Sequence, residues 1–124
     1  VRLGEGAYFE PDIFFVSREA LGRIEEQYLD GPPALAVEVL SPSSRRRDLV
    51  DKAEMYRKAG VAEYWAIDGH SEEVRVYVNR PDPSESVVKS GRLESVAVQG
   101  FSIDVGGLWQ DPLPPDAELV KQYL

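Results

Sequence analysis

The sequence predicts an α/β fold, and three observations carry that prediction. Residues 33–68, PALAVEVLSPSSRRRDLVDKAEMYRKAGVAEYWAID, read as strand, Ser/Pro turn, helix, glycine stop and strand, a βαβ-like unit of the usual length. Ala34–Leu40 is almost wholly apolar, the pattern of a central strand covered on both faces. Leu49, Ala53, Tyr56 and Ala59 recur at helical spacing, so the segment between the two strands carries one apolar stripe to lay on the sheet.

The remaining elements follow from local chemistry. Val1–Gly6 reads as a strand end and a glycine turn, and Tyr8–Val16 as a strand rich in aromatic and β-branched residues. Pro11 forbids one ladder bond within it, so this strand is an edge, is bulged, or begins pairing there. Ser17 has the chemistry of an N-cap for a short helix to about Gln27, with Leu21 and Ile24 on its buried side. Gly31-Pro32-Pro33 ends that excursion. In Ala34–Leu40, alternation puts Leu35, Val37 and Val39 on one face and Ala36, Glu38 and Leu40 on the other. The following helix runs from Ser44 or Asp48 to Ala59, and Gly60 supplies its C′ residue. Val61–Asp68 and Val74–Arg80 are strands joined by a hairpin-type turn, Asp68-Gly69-His70-Ser71. Two weaker strands, Ser86–Val88 and Ser95–Val98, follow a Pro/Ser-rich loop, and Phe101, Ile103 and Val105 alternate as a last inward-facing set. The expected organisation is one domain over 1–110 and a Pro-rich tail over 111–124.

Composition narrows the class. With 43% hydrophobic and 29% charged residues the chain is globular. It has no cysteine, which excludes disulfides and thiolate-held metals and fits a reducing, cytoplasmic location. No apolar run approaches the roughly 20 residues that span a bilayer, and no signal-peptide pattern opens the chain, so no membrane partner is expected. The chain starts at Val1, without Met, at what reads as a strand edge, and an N-terminally incomplete domain is the expectation. The net charge of −8 argues against broad attraction to polyanions. Residues 43–60 nevertheless carry Arg45, Arg46, Arg47, Lys52, Arg57 and Lys58 against three acids, a local +3 that leaves −11 for the rest. A nucleic acid would be drawn to that stretch alone; a solvated helix face with pairs such as Glu54–Lys58 is the competing account.

Two acids sit in apolar strands: Asp12 in the first and Glu38 in the central one. Buried charge is expensive unless paired, hydrogen-bonded or bound to metal. The acids are therefore either a structural pair with Lys52 or an arginine, or a site for Mg²⁺ or Mn²⁺, which take oxygen ligands and need only one or two carboxylates. If the two strands are neighbours in the right register, Asp12 and Glu38 approach each other. Lys52 lies one turn before Tyr56 on the border of the apolar stripe and is predicted to point toward the sheet. Glu10 shares the strand face of Asp12 and is either a third, supporting ligand or a rim charge, the rim being the favoured reading. Ser41, Ser43 and Ser44 are explained by turns and capping, and the single histidine, His70, falls in a turn.

Pro11-Asp12, then Glu38-Val39-Leu40, then Lys52-x-x-x-Tyr56 together resemble the PD-(D/E)XK nuclease superfamily. Within it, VEVLSPSS and RRDLVDKAEMYRKAGVAEYWAID look like the Uma-type endonuclease-like family, over about Phe9 to Phe101. The resemblance implies a restriction-endonuclease-like α+β core, a central mixed sheet flanked by helices. It implies a DNA endonuclease with Asp12 and Glu38 as magnesium ligands and Lys52 assisting catalysis, and it suggests a homodimer. Two departures stand out. The lysine of the E-x-K motif belongs at position 40, where Leu40 stands, so Lys52 resembles a migrated lysine with Tyr56 in its K-x-x-x-Y frame. Family members also carry a further N-terminal segment. Arg45, Arg46 and Arg47 would contact DNA phosphates. The alternative is an inactive nuclease-like fold kept for dimerisation or partner binding, with the acids as a structural network.

Overall fold

A computed structural model of the chain describes residues 2–4, 7–8, 11–16, 31–40, 48–80 and 82–110. Its centre is a five-stranded sheet of β3 (Ile13–Phe15), β4 (Leu35–Val39), β5 (Glu63–Asp68), β6 (Glu73–Val78) and β7 (Ser84–Val88), in that spatial order. The β4–β5 pair is parallel and the other three pairs are antiparallel, so the sheet is mixed, as expected. Two small antiparallel ribbons accompany it: β1 (Arg2–Gly4) with β2 (Ala7–Tyr8), and β8 (Arg92–Glu94) with β9 (Ser102–Asp104).

The crossover from β4 to β5 contains a π-helical turn, Asp48–Lys52, running into α1 (Ala53–Ala59). Gly60 ends α1 at φ 93°, its N–H bonding to Arg57 O while the N–H of Val61 bonds to Tyr56 O at 3.0 Å. Those two bonds form a Schellman cap, and only glycine takes that left-handed φ without cost. Val61 and Tyr56 then meet in the same apolar cluster.

The sheet buries a core on each face. On the helix face Ala36, Leu40, Tyr56, Val61, Tyr64 and Ala66 pack together, with Ala53, Met55 and Tyr77 at the margin. On the other face Leu35, Val37, Trp65, Ile67, Val74 and Val76 pack under Ile103 and Val105, from β9 and a 3₁₀ turn (Val105–Trp109). The alternation predicted for β4 and for Phe101, Ile103 and Val105 is therefore the one observed.

Three expectations need correction. The strand over 8–16 is not continuous: β2 ends at Tyr8, β3 begins at Ile13, and Asp12 lies in a bend just before it. Ser95–Val98 is not a strand, because the N–H groups of Val96 and Ala97 and the Ser95 hydroxyl all bond to one carboxylate, Glu63. The β5–β6 turn closes on Glu72 at φ 52°, after the predicted Asp68-Gly69-His70-Ser71. The helix expected over Ser17–Gln27, Ser41–Ser44 and the tail 111–124 lie outside the described residues.

Candidate active site

Glu38 is the polar residue around which the helix face is built. Parity on β4 turns it to the side of Ala36 and Leu40, where it is 4% exposed. Lys52 Nζ lies 2.5 Å from Oε2, and the Tyr56 hydroxyl donates to Oε1 at 2.8 Å. The lysine thus points at the sheet as expected, from the last position of the π-turn. Such turns depart from the regular α ladder and recur at functional sites. Tyr56 is fully buried, its ring 5.0 Å from Tyr64, which stacks on Tyr77 at 5.7 Å. A row of three tyrosines holds the hydroxyl that holds Glu38.

Asp12 reaches the same end of the sheet from the neighbouring strand. β3 pairs with β4 through Ile13↔Val37, and one further step of that antiparallel register sets Asp12 opposite Glu38. Asp12 Oδ2 accepts the N–H of Val39 at 2.7 Å, and Asp12 is itself exposed. A carboxylate oxygen here stands in for a backbone carbonyl as the acceptor of a β4 N–H, just beyond the β3–β4 ladder. The two acids therefore lie at facing positions of neighbouring strands, one buried and one open to solvent.

Leu40 occupies the E-x-K position as an apolar residue, 8% exposed, in the cluster with Tyr56. The only amine this structure brings to Glu38 among the described residues is that of Lys52. Further along the same row, Ala66 separates Glu38 from Arg75. Arg75 Nε is buried without a hydrogen bond among the described residues, 3.6 Å from Glu73, while its Nη1 lies 3.8 Å from Glu85. The Glu85 charge and, before it, burial raise the Tyr77 phenol above its ordinary value. On the outer side of α1, the hydrogen bond from Arg57 lowers Glu54, and the predicted Glu54–Lys58 pair is present at 3.6 Å.

Sequence reading missed Glu63. It is 1% exposed on the opposite face, accepting from Trp65 Nε1 at 2.7 Å, Ser95 Oγ at 2.7 Å, and the amides of Val96 and Ala97 at 3.0 Å. The i, i+2 spacing to Trp65 on one strand face was the available signal. Glu10 and Arg45–Arg47 lie outside the described residues. His70 is exposed in its turn, and Asp68 accepts the N–H groups of His70 and Ser71, closing that turn as predicted.

Among the described residues no group of three or more His, Cys or acidic side chains is arranged for a metal. An ion at this site would rest on Asp12 and Glu38, with water or substrate oxygens filling its remaining positions. The donors fit a hard divalent cation, and the Lys52 ammonium already shows a positive charge seated on Glu38 Oε2.

A mixed five-stranded sheet, with a helix on one face and a buried glutamate held there by a tyrosine and a rim lysine, defines a restriction-endonuclease-like α+β protein. The family model for Uma2, described as "Putative restriction endonuclease", matches residues 1–106, and the chain belongs to that family. A solved structure of a protein from Anabaena variabilis, a "putative nuclease belonging to DUF820", is similar in fold at a TM-score of 0.57 and 17% identity. The match covers 76% of this chain and 55% of that one, so the chain spans about half the length of that relative. No curated protein matches the sequence. Among the described residues no helix is long and apolar enough to cross a membrane.

Proposed function

We propose that this chain is the metal-binding part of an endonuclease that hydrolyses phosphodiester bonds in DNA, using Mg²⁺ or Mn²⁺. The observation that carries this reading is the convergence of Asp12, Glu38 and Lys52 at one end of β4, within a chain of the Uma2 family. Asp12 and Glu38 hold the ion, and Tyr56 fixes the rotamer of Glu38 through Oε1. When bound, a divalent ion supplies charge neutralisation at the phosphate and a water of lowered pKa. Lys52 is the nearby cation for a phosphate oxygen or the attacking water. Arg45, Arg46 and Arg47 contact the flanking phosphates, and the working unit is a homodimer in the cytoplasm.

A second reading has its own support. Both oxygens of Glu38 already have protein partners, Leu40 replaces the E-x-K lysine, and the chain carries −8. These features suit an inactive nuclease-like fold used for dimerisation or partner binding. Incubating the full-length protein with DNA and Mg²⁺ or Mn²⁺ separates the two. Cleavage is expected, and Asp12→Ala is expected to lower it about a hundredfold or more, the scale of losing one group that stabilises transition-state charge. Cleavage undiminished by Asp12→Ala would remove the metal site from Asp12.

A further inference from the structure

The two partners of Glu38 differ in whether they can leave. Tyr56 is fully buried and ring-packed against Tyr64, so its bond to Oε1 is fixed by the core. Lys52 is at the rim, its side chain 25% exposed where that of Glu38 is 5%, on a flexible four-carbon stem with a short path to water. At 2.5 Å from Oε2, its ammonium fills the side of the carboxylate that a metal ion would need. Two cations on one oxygen repel strongly in a poorly solvated site, so the salt bridge and an ion on Oε2 exclude each other.

From this we infer that Lys52 is a displaceable counter-ion, a plug that neutralises buried Glu38 until a divalent cation takes its place. This rests on Asp12 and Glu38 being the metal site. While the plug is in, Glu38 keeps a charge partner, and its burial costs little. Once Lys52 swings off Oε2, its ammonium is released beside the metal, the position from which it can meet a phosphate oxygen. The Lys52–Glu38 bridge thereby gives way only in the metal-loaded protein. No bond is made or broken in the exchange.

The consequence is a metal affinity held down by the protein's own lysine. If the bridge is formed roughly nine-tenths of the time, apparent affinity is about tenfold below that of the open site. Calorimetric titration of the full-length protein with Mn²⁺ alone, without DNA, reads this directly. Lys52→Gln is expected to tighten Mn²⁺ binding about tenfold, whereas Lys52→Arg, which keeps a cation there, is expected to leave it within about threefold of the native value. In the unsubstituted protein, the Lys52 side-chain NMR signal is expected to shift as Mn²⁺ is replaced by diamagnetic Mg²⁺ and titrated to saturation. Unchanged or weaker binding in Lys52→Gln, or a Lys52 signal indifferent to Mg²⁺, overturns the plug. Asp12→Ala guards the underlying reading: if it leaves Mn²⁺ binding intact, the ion sits elsewhere and both ideas go. If it abolishes binding while Lys52→Gln does not tighten it, the metal site survives and only the plug fails.

Discussion

Glu38 and Glu63 are both buried acids on neighbouring strands, on opposite faces of one sheet, and they are neutralised in opposite ways. Glu63 accepts four hydrogen bonds from uncharged donors, among them two backbone amides and an indole. Glu38 accepts a phenol on one oxygen and an ammonium on the other. Neutral donors built into the backbone cannot be exchanged without unrolling the 95–98 segment, so Glu63 is a clamp. The lysine sits at a solvent rim, 25% exposed, and its exchange for another cation is what the metal site proposed above requires of Glu38. Burial of the acid alone does not separate the two; the charge and exposure of its partner do.

The largest expected effect breaks this comparison at its base. Glu63→Ala leaves several buried donors without acceptors, each costing about 1–3 kcal/mol, and a loss of about 3 kcal/mol or more is expected. Glu38→Ala removes one bond of the Tyr56 hydroxyl and one ion pair of Lys52, and about 1–2 kcal/mol is expected. Urea unfolding at matched slopes measures both. Equal losses, or a larger one at Glu38, would show that Glu38 is a structural clamp too.

Tyr56→Phe sharpens the contrast within the site. The ring still packs on Tyr64, so stability should drop by only about 1 kcal/mol. Freed of its fixed partner, Glu38 loses orientation, and Mn²⁺ affinity or DNA cleavage should fall about 10–100-fold, as when partners of metal-ligating groups are removed. A stability loss without a functional one would place Tyr56 on the structural side with Glu63.

What the sequence reveals divides along the same line. The inward aim of Lys52 follows from its place on the edge of the apolar stripe, a helix property set within a turn of the residue. The two faces of β4 follow from alternation. Which β4 position faces Asp12 depends on register, which strand composition leaves open; Ile13↔Val37 puts position 38 there by one further step. The Glu63 clamp joins residues 32 to 34 positions apart, a separation at which no periodicity survives. Ser95–Val98 carries strand-forming valines, yet Val96 is exposed, only Val98 packs against the core, and the amides of Val96 and Ala97 serve a carboxylate and not a ladder. Pro11 marks the break in the first strand, and the break is where Asp12 acquires its role.

The smallest expected effect tests whether the two faces also differ in their response to pH. Opposite the Tyr56–Tyr64–Tyr77 row, the aromatic stack of the other face is Phe15, Phe101 and Trp65, with ring centroids 4.5 and 5.6 Å apart, and none of its members titrates. On the helix face, burial and then the Glu85 charge raise Tyr77 above 10.0. The folded chain therefore holds that proton more tightly than the unfolded one. Its contribution to stability is full below the unfolded value and is lost as pH rises through 10.0 and on to the folded value. Tyr77 is only half-buried, so solvent screens much of the effect, and a shallow alkaline fall in the unfolding midpoint is expected. Tyr77→Phe removes the ionisation while keeping the ring against Tyr64, and should flatten part of that fall. Identical alkaline slopes for the two proteins would mean that the phenol is solvated and that the row ends, energetically, at Tyr64.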